Sequence, residues 1–180
     1  MSIPAFPIRL VGALATLLFA TAATAAPPAD FTVVAPVDGK VFRLSDARGK
    51  YVALHFLLKT ECPVCLRHTG EYAKPAATPM DVVQVFLKPD STEEIKAWSA
   101  KLAPGAAPVI YRDPDAKLAK AFAIPGGYAF HGEAVHYPAL VLLDPTGKEV
   151  FRYVGRNNAD RYGAEKLTAK IAELKKAAAK

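Results

Sequence analysis

The sequence of 180 residues contains two cysteines, and both lie in one motif, Cys62-Pro63-Val64-Cys65. Two thiols three positions apart come to the same side of a first helical turn, close enough to bond. Such a pair closes almost no loop, so a bond between them adds little stability. Cysteines that staple a small exported domain are spaced to close long loops instead. The pair therefore reads as reactive, and its chemistry is thiol–disulfide exchange. Pro63 suits the first position of a helix. Unpaired backbone N–H groups and the helix dipole stabilise a thiolate there. Cys62 stands at the exposed start and is assigned as the attacking nucleophile, while Cys65, one turn in, resolves the mixed disulfide.

The flanking sequence supplies a frame for the motif. Residues 51–58 form a nearly unbroken apolar run of strand length, as expected of a central strand buried on both faces. Residues 59–61 read as a short loop, and the helix from Pro63 runs to about Lys74, where Pro75 stops it. Residues 81–87 give a second strand. Ser91 and Glu94 form a capping box ahead of a helix whose apolar stripe is Ile95, Trp98 and Leu102. Residues 109–111 are a short strand. A helix from about Asp115 then buries Leu118 and Phe122, and residues 126–137 read as an irregular loop. Residues 139–143 and 150–154 are strands joined by Asp144-Pro145-Thr146-Gly147, which suits a type I turn. A closing helix from about Asp160 buries Leu167, Ile171 and Leu174. This order predicts an α/β sandwich with a mixed sheet.

Lys and Arg number 23 against 17 Asp and Glu, for a formal charge of +6. Much of the basicity falls on the last helix (Lys166, Lys170, Lys175, Lys176, Lys180), which reads as a solvated face and not as a nucleic-acid patch. At the other end, Arg9, an apolar stretch over residues 10–19 and the small-x-small sequence Ala23-Thr24-Ala25 have the form of an export signal. The apolar stretch is too short to span a bilayer as a stable helix. Cleavage is expected after Ala25, so residues 1–25 are the signal peptide and residues 26–180 form one domain of charge about +5. The expected location is periplasmic or secreted, with no stable membrane span after cleavage.

A buried strand, a short loop and a C-x-x-C opening a helix make a specific combination. In it the chain resembles the thioredoxin-like superfamily, in its redoxin and peroxiredoxin-like branch, over residues 42–174. The resemblance extends to Arg112-Asp113-Pro114-Asp115-Ala116-Lys117-Leu118-Ala119, to Tyr137-Pro138, and to Leu143-Asp144-Pro145-Thr146-Gly147-Lys148. It implies a thioredoxin-like fold: a mixed central sheet flanked by helices, with a helix-strand-helix insertion before the C-terminal hairpin. It also implies that Pro138 is cis and lies against the dithiol, and that Tyr137 offers backbone groups to an incoming peptide, so that both bind substrate. Pro63 at the first inner position resembles glutaredoxins and periplasmic disulfide oxidants, which implies a couple near roughly −120 to −230 mV. The chain departs from thioredoxin at Glu61, where an aromatic is usual, and no buried carboxylate near the second thiol is evident. His55 is the nearest ionisable candidate, although a lone histidine in a buried strand reads as structural.

Two other functions share these residues. In the peroxiredoxin register Cys65 is the peroxide-attacking sulfur, Cys62 replaces the hydroxyl residue and Leu58 the usual proline; Cys62 could then resolve a sulfenic acid on Cys65. Thr60-Glu61-Cys62-Pro63 also resembles copper chaperones of cytochrome oxidase assembly, which place three residues between their cysteines where this chain has two. A third ligand would have to come from His131 or His136, each of which reads as a polar loop residue. His68, Arg67 and Lys59 flank the motif without an assigned role. The expected function is an extracytoplasmic thiol–disulfide oxidoreductase, with the peroxidase as alternative and copper handling third. It needs no cofactor or resident metal. Its partners are a protein or small-molecule thiol or disulfide substrate and an unidentified redox partner, with no nucleic acid.

Overall fold

The computed structural model describes residues 29–59, 63–74, 81–102, 108–130 and 133–179. The expected signal peptide, Cys62 and His131 lie outside them.

The apolar run predicted as a central strand is β3 (Tyr51–Phe56), and all six of its residues are buried. It pairs in parallel with β4 (Val82–Lys88) and antiparallel with β8 (Ala139–Leu143). The sheet continues through β5 (Ile110–Arg112) to an N-terminal hairpin of β1 (Thr32–Val34) and β2 (Val41–Arg43), and on the other side to β9 (Glu149–Val154). Its order is β2-β1-β5-β4-β3-β8-β9, a mixed sheet with parallel strands at its centre.

Alternation along β3 divides the core. Val52, Leu54 and Phe56 pack with Val85, Leu87 and Phe122 on one face. Tyr51 and Ala53 pack on the other with Cys65, Tyr72, Ile95, Trp98, Leu167 and Ile171. That second face is covered by α1 (Pro63–Tyr72), α2 (Thr92–Ser99) and α4 (Ala164–Ala178). The capping box is present, with the Glu94 amide donating to Ser91 Oγ and the Ser91 amide to the Glu94 carboxylate. The hairpin of β8 and β9 turns through Asp144, whose carbonyl accepts from the Gly147 amide at 2.8 Å.

Three expectations are corrected. Residues 126–137 are not irregular: β6 (Gly126–Phe130) and β7 (Glu133–His136) form a separate two-stranded antiparallel sheet. Gly127 permits this, since a Cβ there would collide with the ring of Tyr137, whose hydroxyl donates to the Gly127 carbonyl at 3.2 Å. The third helix, α3 (Lys117–Ala121), begins after Asp115 and Ala116, which are left-handed at φ 55° and 52°. The Asp113 carboxylate reaches past that turn to accept from the Leu118 and Ala119 amides at 2.7 and 3.0 Å, so it caps the helix from outside. The last helix starts at Ala164 and not near Asp160, because the Asp160 carboxylate is taken by the Tyr153 hydroxyl and by Arg156.

Candidate active site

Helix α1 buries Cys65, His68, Thr69 and Tyr72, spaced three, four and seven residues apart on one face. Pro63 opens it, as its fixed φ favours. The helix follows the carboxyl end of β3, the end of an α/β sheet where reacting groups gather. Cys65 is wholly buried, at 0% exposure.

A cation that sequence reasoning missed lies against it. Arg161 Nη2 is 3.0 Å from Cys65 Sγ, and its Nη1 donates to the Asp160 carbonyl at 3.1 Å. A guanidinium at that distance favours a charged sulfur over a neutral one. The segment holding it is braced. The Tyr153 hydroxyl (2.5 Å), then the Arg156 amide and guanidinium, hold the Asp160 carboxyl down to about 2. Tyr72 on α1 donates to the Tyr162 carbonyl at 2.8 Å, tying helix and loop together. Gly155 lets the loop close, because a Cβ there would meet the Asp160 carbonyl oxygen. Arg161 stands 96 residues after Cys65 between β9 and α4, with no motif around it, so nothing local in the sequence signals its role.

His55 and His68 are both buried. His55 stacks on Phe86 with centroids 4.3 Å apart, and its Nε2 lies 2.5 Å from Gln84 Oε1. Its surroundings fit the structural reading, and burial pushes it down to about 4. His68 is pushed to about 3 by burial, with His55 and Arg161 adding to the effect. His68, Pro138, Arg161 and Tyr162 line a gap of about 10 Å³, the size of one water.

Pro138 is thus in the group around Arg161, but its expected conformation is not found. No described peptide bond is cis, so the bond between Tyr137 and Pro138 is trans. The strap is held from both sides in that form, with the Gly155 amide donating to the Pro138 carbonyl (2.8 Å) and the Tyr137 amide to the Pro125 carbonyl (2.9 Å). The Tyr137 carbonyl accepts from His136 Nδ1 at 2.7 Å. An incoming peptide would have to displace these bonds to use the backbone of Tyr137.

Beside this strap is a cleft of about 580 Å³, walled by Lys59 and Pro89 after β3 and β4, by Asp115, Ala116 and Lys120, and by His136. Lys88 fixes the backbone just after β3, ahead of the motif. It is fully buried, donating to the Leu58 carbonyl at 3.0 Å and to Asp90 at 2.8 Å, with the Trp98 ring 5.3 Å away. Arg67 is exposed and Lys59 lines the cleft. Among the described residues no group of three or more His, Cys, Asp or Glu is placed to hold a metal ion. No helix among them is long and apolar enough to cross a membrane.

Sheet order, helix placement and a buried cysteine at the start of α1 define a thioredoxin-like protein of the redoxin type. Residues 23–150 match the AhpC/TSA family, and the chain belongs to it. No curated protein sequence matches the chain. Among solved structures it is similar to the pneumococcal exposed lipoprotein thioredoxin Etrx1 of Streptococcus pneumoniae, at 27% identity and TM-score 0.61 over 81% of this chain and 99% of that one. It is similar in fold to a protein described as the thiol:disulfide interchange protein DsbE of Chlorobium tepidum (24% identity, TM-score 0.59, 82% and 93% covered). The same holds for AhpC of Enterococcus faecalis (19% identity, TM-score 0.67, 83% and 89% covered). Neighbours of both the disulfide-exchange and the peroxiredoxin type thus share this fold.

Proposed function

We infer that this chain is an extracytoplasmic thiol–disulfide oxidoreductase acting through Cys62 and Cys65. The carrying observation is the environment of Cys65: fully buried in the first turn of α1, with a guanidinium 3.0 Å from its sulfur. A buried sulfur cannot meet a bulky substrate first, so Cys62 ahead of it makes that contact. Arg161 then receives the charge that Cys65 carries whenever the internal disulfide is open. Substrate sulfur attacks or is attacked at Cys62, and Cys65 closes or releases the disulfide. Tyr137 and Pro138 border the site, and the cleft beside them admits the substrate. Export, through a signal peptide ending at Ala25, fits the likeness to an exposed lipoprotein thioredoxin.

The same contact supports a second reading, since peroxide reduction needs an ionised sulfur at Cys65. One experiment separates the two. Under disulfide exchange, Cys65→Ser traps a mixed disulfide through Cys62. Under peroxide reduction, Cys62→Ser still consumes one equivalent of hydrogen peroxide and leaves a sulfenic acid on Cys65 that dimedone labels. Rapid sulfenylation of Cys65 with nothing trapped through Cys62 would establish the peroxidase and remove the exchange reading.

A further inference from the structure

Between β9 and α4 the chain runs through residues 155–163, and Arg161 is the residue of that loop that reaches Cys65. An arginine side chain is long and rich in rotamers, so its guanidinium stays on one sulfur only where its surroundings fix it. A turn comes first. The Asn157 side-chain oxygen accepts from the Ala159 amide at 2.9 Å and its carbonyl from the Asp160 amide at 3.2 Å. The Asp160 carboxylate then meets β9 and its exit. The Tyr153 hydroxyl donates to Oδ1 at 2.5 Å, and the Arg156 amide and Nε donate to Oδ2 at 3.1 and 3.0 Å. A hydroxyl at that distance from a carboxylate makes a strong, charge-assisted bond. Through its main chain the same residue holds Arg161, whose Nη1 donates to the Asp160 carbonyl at 3.1 Å. One residue further on, the Tyr162 ring packs against Phe151 and Tyr153, with centroids 5.0 and 5.1 Å away. The Tyr162 carbonyl accepts from Tyr72, on the helix that carries Cys65. Arg161 thus stands between a pin to β9 and a pin to α1.

We propose that Tyr153 and Asp160 are positioning residues that hold the Arg161 guanidinium on Cys65 and so set how readily that thiol ionises. The proposal rests on the reading that Cys65 carries charge whenever the internal disulfide is open. On ionisation the thiol proton leaves to solvent and the thiolate stays beside Nη2.

The titratable groups that feel Arg161 are His68 on α1 and His136 at the end of β7, and burial keeps both neutral at pH 7. His55 on β3, beside His68, is neutral there for the same reason. Asp160 stays ionised, its carboxyl held at about 2 by the Tyr153 hydroxyl and then by Arg156. Elsewhere the cluster that holds Cys65 is apolar or aromatic, with Ala164, Leu167 and Ile171 facing it from α4. Two effects of Asp160 are therefore opposed in sign. Its negative charge disfavours a nearby thiolate, so losing that charge alone would make Cys65 more acidic. Loosening Arg161 takes a cation from the thiolate and makes Cys65 less acidic. Tyr153 carries no charge, so its hydroxyl acts only through the second route.

The test uses the protein with Cys62→Ser, in which Cys65 is the only cysteine left and no internal disulfide forms. Cysteine labelled with carbon-13 at Cβ reports ionisation through its chemical shift, followed from about pH 5 to about pH 10, around the ordinary thiol value. Arg161→Met should raise the midpoint by about one to two pH units, as expected for a lost hydrogen bond to a charged partner. Tyr153→Phe keeps the ring against Tyr162 and should raise it by about half a unit to one unit, a part of the Arg161 effect. Asp160→Asn should raise it as well, against the sign of its lost charge. In the R161M background Y153F should change nothing, because the group it positions is gone. A Y153F midpoint that does not move, or an equal rise with and without Arg161, would overturn the positioning role. Should Y153F fail to fold, D160N decides by sign, and a lowered midpoint overturns the role. An R161M midpoint that does not rise would overturn the stabilisation of Cys65 by Arg161, and with it the observation that carries the oxidoreductase reading.

Discussion

Replacing Arg161 with Met removes the guanidinium from Cys65 and keeps most of the side-chain bulk. The contact is 3.0 Å from nitrogen to sulfur. A hydrogen bond to a charged partner contributes about 1.5–3 kcal/mol. It exists at that strength only when Cys65 is a thiolate, because a disulfide sulfur carries no charge. Its loss therefore destabilises the reduced form alone. For a two-electron couple about 1.4 kcal/mol corresponds to 30 mV, so the potential should fall by roughly 30–60 mV. Arg161 is partly exposed, and screening favours the lower end of that range. Arg161→Lys keeps the charge without the planar fork and should recover part of the shift. The potential is read by equilibration against glutathione, acid quenching, alkylation and mass spectrometry. An unchanged or raised potential in a folded R161M would refute the idea that this guanidinium stabilises an ionised Cys65. The lost bond from Nη1 to the Asp160 carbonyl destabilises the loop in both redox states, so it leaves the couple unmoved.

Burial pushes His55 down to about 4 and His68 to about 3, both below the unfolded value of 6.5. The unfolded chain therefore binds more protons in that interval, and stability is lost as pH falls from 6.5 through the folded values, by about 3 kcal/mol for His55 alone at pH 4. Urea midpoints at pH 7 and 4.5 measure this slope, and His68→Gln should flatten it. Lys88→Met takes the cation from buried Asp90 and the donor from the Leu58 carbonyl, and should cost about 3–5 kcal/mol by chemical denaturation. In a Gram-negative host the mature protein should begin at Ala26, as intact mass will read, and full-length protein in the cytosol would remove the export argument.

What was legible in the sequence follows the range of the forces involved. The burial of β3 showed as an apolar run, the start of α2 as a Ser and a Glu three apart, and the last hairpin as Asp-Pro-Thr-Gly. Each is decided within a few residues. The hairpin of β6 and β7 escaped because Gly126 and Gly127 read as breakers, while the strand there depends on the ring of Tyr137, ten residues on. The start of α3 was misplaced because its cap, Asp113, acts across two left-handed residues. The cysteine motif was visible, but half of the Cys65 environment was not. Arg161 reaches it only because Tyr72, Asp160 and Gly155 fold a distant loop back onto α1.

That loop also bears on the inner sulfur of the pair. A helix start offers unpaired N–H groups to whichever thiol lies nearest, and by itself it favours the outer cysteine. The guanidinium lies 3.0 Å from the inner one, Cys65, which has no exposure. A buried thiolate without a cation is costly, and then the inner sulfur would leave a disulfide only reluctantly. With Arg161 in place, a thiolate formed at Cys65 has a cation 3.0 Å away to hold its charge. On the exchange reading proposed above, a Cys62–Cys65 disulfide with this cation beside Cys65 is a better electron acceptor than one without it. On that reading Pro63 and Arg161, far apart in the chain, are both expected to raise the potential of the couple, which equilibration against glutathione measures.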